Sequence, residues 1–214
     1  MNRKGACGAE KEKEQKRNRK GKERNDMRII TGSARGTTLQ TLDGEATRPT
    51  PERVKEAVFS MIQFDIEGRR VLDLFSGSGQ MALEALSRGA LSAVLVDESA
   101  DAVKIIRENA QKTKLFSACR LIRSTHKEYL RGAKGREVFD IVFLDPPYQD
   151  FDTLKESLEM LVRYELLAKN ALVICETDRK EPIETAGLRT IKHNRYGRIY
   201  ITLLTNAEEE AEDE

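Results

Sequence analysis

A chain of 214 residues with 39% apolar and 34% charged residues, three cysteines and a formal net charge of +1 has the make-up of one globular domain diluted by charged segments. Collagen-like, mucin-like and disulfide-stapled classes are excluded, and no run approaches the ~20 apolar residues that a membrane helix requires. Cys7, Cys119 and Cys175 are odd in number and lie too far apart for a disulfide framework or a zinc knuckle, which suits a reducing cytoplasm.

The near-neutral total hides polarity along the chain. Residues 1–26 carry ten Lys/Arg against five Asp/Glu, and the last eight residues carry six acids. Neither end has the apolar surface to offset the entropy of ordering, so 1–26 and 207–214 are expected as disordered charged extensions around a domain at 27–206. The basic head lacks the apolar stretch of a secretory signal and holds too much Glu for a mitochondrial presequence. Met27, directly ahead of a strand-like segment, is where an internal start of translation would fall.

From Val71 onward, short apolar runs alternate with longer helical stretches. Strands are expected at Val71–Phe75, Ala93–Asp97, Cys119–Arg123, Phe139–Leu144 and Ala171–Glu176. Helices are expected from Met81 to Gly89, from Ser99 to Lys112 with Ala102, Val103, Ile106 and Ala110 on one face, and from Leu154 to Tyr164. Leu188–His193 and Arg198–Leu204, separated by Asn194-Arg195-Tyr196-Gly197, read as a closing antiparallel hairpin. Strict alternation implies parallel strands joined by right-handed crossovers, hence a doubly wound, Rossmann-like α/β fold with a mostly parallel seven-stranded sheet. Ligands of such sheets sit beyond the carboxyl ends of the strands, where the strand order reverses.

The residues at those ends carry the chemistry. After the first strand comes Asp73-Leu74-Phe75-Ser76-Gly77-Ser78-Gly79, a glycine loop opening a helix. The glycine spacing alone also fits a nicotinamide dinucleotide. Asp73, however, would repel a pyrophosphate and suits an ammonium group, as in S-adenosylmethionine. Asp97 closes the second strand 24 residues later, near the offset at which an acid accepts hydrogen bonds from ribose hydroxyls. Asp145-Pro146-Pro147-Tyr148 follows the fourth strand. Two prolines make a stiff turn with few N–H donors, whose carbonyls and acid can accept from an exocyclic amine while the aromatic ring stacks on a base.

On these residues the sequence resembles the amino-methyltransferases with an Asn/Asp-Pro-Pro-Tyr/Phe motif, and in particular the RsmD-type bacterial 16S rRNA (guanine-N2)-methyltransferase family. Three blocks carry the resemblance: MRIITGSARG with TRPTPERVKEAVFSMI (27–62), VLDLFSGSGQMALEALSRGA (71–90) and FDIVFLDPPY (139–148). It implies a class I S-adenosylmethionine-dependent methyltransferase fold, with S-adenosylmethionine held by Asp73, Phe75, Gly77, Gly79, Asp97 and Thr125, and with Asp145, Pro146, Pro147 and Tyr148 as catalytic residues. Thr125 stands where relatives usually have Asp against the adenine amino group, and so bears on cofactor affinity. The implied partner is rRNA in a small ribosomal subunit, with 27–62 facing it through Arg28, Arg35, Arg48, Arg53 and Lys55. Residues 104–136, with ten Lys/Arg against two Glu, and 189–200, with four Lys/Arg and no acid, add basic surface. His126 and His193 have no ligand partners at metal-binding spacing. A DNA adenine-N6 or cytosine-N4 methyltransferase would share the strand-end residues but needs a target-recognition region for which no segment is long enough. A non-catalytic RNA-binding assembly factor is the remaining alternative.

Overall fold

The computed structural model describes residues 27–42, 50–147 and 150–206. The expected terminal extensions, Arg48 and Tyr148 lie outside them. In chain order the elements are α1 (Glu52–Met61), β1 (Arg70–Asp73), α2 (Gln80–Ser87), β2 (Ser92–Asp97), α3 (Ala100–Lys112), β3 (Cys119–Arg123), α4 (His126–Ala133), β4 (Phe139–Leu144), α5 (Phe151–Arg163), β5 (Leu167–Thr177), β6 (Arg189–Tyr196) and β7 (Ile199–Thr205). They form a seven-stranded sheet in the order β3-β2-β1-β4-β5-β7-β6. β1 to β5 pair in parallel, and β7 runs antiparallel to both β5 and β6. The order reverses between β1 and β4, which opens a crevice at their carboxyl ends.

Alternation along each central strand feeds two cores. Val71, Ala93, Leu95, Ile141, Phe143 and Ile174 pack with α1, α2 and α3, while Leu72, Val94, Val142, Leu144, Val173 and Cys175 pack with α4 and α5. Continuing that period of two past the last buried residue puts Asp73, Asp97, Asp145 and Glu176 on the face covered by α1, α2 and α3.

The block 27–42 makes a single bridge, Arg28 to Thr38, rather than the strand expected after Met27. It is strapped onto α2. Glu84, fully buried, accepts hydrogen bonds from Ile30 N (2.7 Å), Thr31 N (3.0 Å) and Arg88 Nε (2.8 Å), with Lys55 Nζ 3.7 Å away. Ser33 N donates to Ser87 O at 2.8 Å. A Cβ on Gly32 would fall 1.7 Å from that carbonyl oxygen, so only glycine permits the approach. Asn109 ties the return leg to the glycine loop: its Oδ1 accepts from Gln40 N, and its Nδ2 donates to Gln40 O and Ser78 O.

Beyond shifts of one to three residues at several element ends, the structure departs from the sequence reading in three places. α4 was not anticipated, because His126-Lys127-Glu128 hides a reciprocal cap in which Thr125 accepts from Glu128 N and Glu128 accepts from Thr125 N. β5 starts at Leu167, and the hairpin turns at Gly197-Arg198, two residues later than expected, with Tyr196 paired to Ile199. Cys119 and Cys175 lie in strands as expected, the second fully buried.

Candidate active site

The loop after β1 is wound tightly by its own backbone. Ser76 Oγ donates to Asp73 O (2.6 Å), Ser76 N to Val96 O (3.0 Å) and Gly79 N to Ser76 O (2.6 Å). Its two glycines do different work. Gly77, at φ +53, has open space where a Cβ would be, whereas a Cβ on Gly79, at φ +78, would press to 3.1 Å from Leu95 and 3.3 Å from Ile106. Gly77 therefore leaves room on the open side of the loop, and Gly79 lets α2 settle on the sheet.

Asp97 is anchored from two directions, accepting from Gly77 N with Oδ2 and from Ser99 N with Oδ1, both at 2.9 Å. Each oxygen keeps a further lone pair for a ligand hydroxyl. Asp73 is buried, and its carboxylate accepts a hydrogen bond from Ala82 N at 3.3 Å. Burial, reinforced by the charge of Asp97, pushes its pKa up to about 7. Asp145 keeps an open face to solvent, yet protein crowds its carboxylate. Burial first, then the charges of Glu176 and Asp73, raise its pKa well above the ordinary carboxylate value. Glu176, near the end of β5, is raised to about 7 by burial, with a hydrogen bond from Thr50 acting in the opposite sense. Acids thus line the strand ends from β2 to β5, and no salt bridge to Asp73, Asp97, Asp145 or Glu176 occurs among the described residues.

The Asp-Pro-Pro corner is held at its far end by Asp150. Its N donates to Pro147 O (3.3 Å), and its carboxylate caps α5 by accepting from Asp152 N and Thr153 N (both 3.1 Å), a cap typically worth ~1 kcal/mol. Pro146 is buried and Pro147 exposed. Phe75 is half-buried with its ring 5.5 Å from that of His126.

The structure corrects two expectations. Lys55 is 1% exposed, with its ammonium on Arg28 O and beside Glu84, so it cannot meet an RNA phosphate; burial lowers its pKa. The basic count over 104–136 mixed the two ends of the sheet: α3 and α4 leave the carboxyl ends of β2 and β3 and run back, carrying Lys112, Lys114, Arg131, Lys134 and Arg136 away from the crevice. Arg35 likewise lies in the turn beside Ser87, one α2 length, or about 12 Å, from the glycine loop. Arg28 pairs with Glu52 at 2.8 Å, and Arg53 is exposed in the first turn of α1. Thr125 spends its hydroxyl on capping α4, accepting from Glu128 N and donating to Glu128 Oε2, which leaves one acceptor position free.

Three features escaped sequence reasoning. Glu176 showed only as the end of an apolar run. Gln80, the first residue of α2, is buried with an Oε1 that has no partner among the described residues, which marks an acceptor awaiting a donor. Arg179 and Lys180 follow β5, and since Tyr200 pairs with Thr177, Arg195 and Arg198 come to the same end of the sheet. No group of His, Cys, Asp and Glu suited to a metal occurs among the described residues, and no described helix is long and apolar enough to cross a membrane.

Reversal of strand order at β1/β4, with an antiparallel β7 inserted beside β5, is the architecture of the class I S-adenosylmethionine-dependent methyltransferases, and the chain has that fold. An RNA methyltransferase from Salinibacter ruber, solved with S-adenosyl-L-homocysteine, shares it at 18% identity and a TM-score of 0.57, covering 78% of this chain and 98% of that one. The Escherichia coli protein yhhF superposes with a TM-score of 0.75 at 29% identity, covering 84% of this chain and 97% of that one. In sequence, YlbH of Bacillus subtilis is 37% identical over 75% of this chain and 88% of its own length. Ribosomal RNA small subunit methyltransferase D of Haemophilus influenzae is 34% identical over 75% and 83%. The family described as Conserved hypothetical protein 95 matches residues 27–205, and the chain belongs to it, among the RsmD-type methyltransferases.

The site fits the cofactor of this fold class. A buried carboxylate whose pKa is raised for want of a countercharge, an orphaned acceptor on Gln80 and open space at Gly77 suit a ligand with an ammonium group and no phosphate.

Proposed function

We propose that the protein transfers the methyl group of S-adenosylmethionine to the exocyclic N2 amino group of a guanine in small-subunit ribosomal RNA, in the bacterial cytoplasm. The observation that carries this reading is the Asp145-Pro146-Pro147 corner standing across the β1/β4 crevice from Asp73 and the glycine loop. The Haemophilus relative, a ribosomal RNA small subunit methyltransferase, supports RNA as the substrate.

Asp73, Gly77, Gln80 and Asp97 hold the cofactor, whose chemistry is an electrophilic methyl group. Phe75 and Thr125 border the same pocket. Guanine's exocyclic nitrogen is a poor nucleophile because its lone pair is delocalised into the ring. The Asp145 carboxylate and the Pro146 carbonyl each accept one of its N–H bonds, draw the nitrogen toward tetrahedral geometry and localise that pair. Pro147 stiffens the turn and Tyr148 stacks on the base. Positive charge develops on the nitrogen as it reacts, and a pre-placed carboxylate stabilises it. Asp145 then takes the proton that the nitrogen sheds, a transfer for which its raised pKa suits it.

The base leaves its stack to reach the crevice, which costs least in a loop or single strand. Arg53, Arg179, Lys180, Arg195 and Arg198 approach the phosphates around the crevice, joined by Arg28 and Arg48, and Arg35 contacts RNA farther out. The test is a map of modified nucleosides in small-subunit rRNA from cells with and without the gene. Loss of one N2-methylguanosine is expected, and an unchanged map would contradict the proposal.

A further inference from the structure

Resting on the guanine-N2 reading above, we propose that Glu176 is the residue that selects guanine, by accepting the ring N1–H that adjoins the amine being methylated.

The register carries this assignment. Leu144 pairs with Cys175 in the parallel β4/β5 ladder, so Asp145 and Glu176 are the next residues on adjoining strands, and neighbouring strands lie about 4.8 Å apart. The alternation that buries Phe143 and Ile174 in the core under α1 turns both acids to that same side. Glu176 is half-buried, and Thr50, itself buried two residues ahead of α1, donates to it, which fixes its orientation and leaves it acceptor capacity.

Guanine alone among the amino-bearing bases presents a donor next to its amine. Its N2 hydrogens and N1–H form a continuous donor edge, whereas adenine and cytosine place a bare ring lone pair beside N6 or N4. An amine held on Asp145 therefore brings N1–H to the neighbouring acid if the base is guanine, and brings a lone pair against a carboxylate if it is not. Mere closure of the N-terminal block by the Thr50 contact predicts no dependence on what occupies the N1 position.

The test compares guanosine with 2-aminopurine riboside, which keeps the 2-amine and lacks N1–H. Either nucleoside is placed at the methylated position of 16S RNA, reassembled into small subunits, and kcat/KM is measured for the wild type, Glu176→Gln and Glu176→Ala. The wild type is expected to favour guanosine by about 100-fold or more. Glu176→Ala should bring the ratio within about tenfold, and Glu176→Gln, whose amide oxygen still accepts, should fall between it and the wild type; both should bind S-adenosylhomocysteine within about twofold of wild type, which shows that the fold survives. A wild type indifferent to the analogue, or variants that keep its full discrimination, would overturn the role of Glu176 and leave guanine-N2 methylation standing. A wild type that makes methyladenosine or methylcytidine overturns that reading, and the inference falls with it.

Discussion

Two regions of this molecule bury charge, and they do so in opposite ways. Beneath the N-terminal strap, Glu84 is fully enclosed but surrounded by Lys55, Arg88 and two backbone N–H groups, so each charge has its answer within the protein. At the strand ends, buried Asp73, half-buried Glu176 and Asp145, which keeps an open face, crowd one another without a cation among the described residues, and their pKa values rise. Paired buried charge positions one segment on another. Like charge left unpaired costs stability, and the fold tolerates that cost where a cationic or donor-rich ligand is to supply the missing partner.

The largest effect expected from this contrast is catalytic. Asp145→Ala should lower kcat by about 10²- to 10³-fold, the scale for losing a pre-placed electrostatic partner, while S-adenosylhomocysteine affinity stays within a few-fold in calorimetry. The same substitution removes one of three crowded acids, so the melting temperature of the cofactor-free protein should rise. Next comes the paired region. Glu84→Ala strands Lys55 in the core and should cost about 3–5 kcal/mol in denaturant unfolding, whereas Lys55→Met, which exchanges the buried ammonium for an apolar chain of similar size, should cost much less.

Stability against pH separates the regions again. The folded-state pKa values of Asp73 and Glu176, both about 7, lie above those of an unfolded chain. The native protein therefore holds protons that the unfolded one lacks between about pH 4 and 7, and stability of the cofactor-free protein falls as pH rises through that window. The slope is about 1.4 kcal/mol per pH unit for each group inside it. Saturating cofactor should flatten this dependence. The smallest effect concerns Asp97: Asp97→Asn keeps the shape but removes charge-assisted acceptors and should weaken cofactor binding about tenfold.

Much of the fold was legible in the sequence because the central strands are apolar and end in punctuation. Phe139–Leu144 and Cys119–Arg123 carry the same bounds in both readings. The Asp-Pro-Pro corner of the candidate site was legible because that motif has few structural uses after a buried strand. Glu176 was not, since its importance comes from the strand beside it, and pairing between β4 and β5 is a long-range fact. Lys55 was misread for a related reason: a lysine on an amphipathic helix reads as solvated unless its buried partner, here Glu84 on a different helix, is known. Counting basic residues along 104–136 failed because a crossover helix carries its two ends to opposite ends of the sheet.

The account rests on acids whose pKa values are raised until a cation arrives, and calorimetry of S-adenosylmethionine binding near pH 7, in buffers of differing ionisation enthalpy, tests it most directly. Binding should release protons, so the observed enthalpy should change with the buffer in the sense of proton uptake by it. An enthalpy that is the same in every buffer, or that reports protons taken up by the protein, would contradict it.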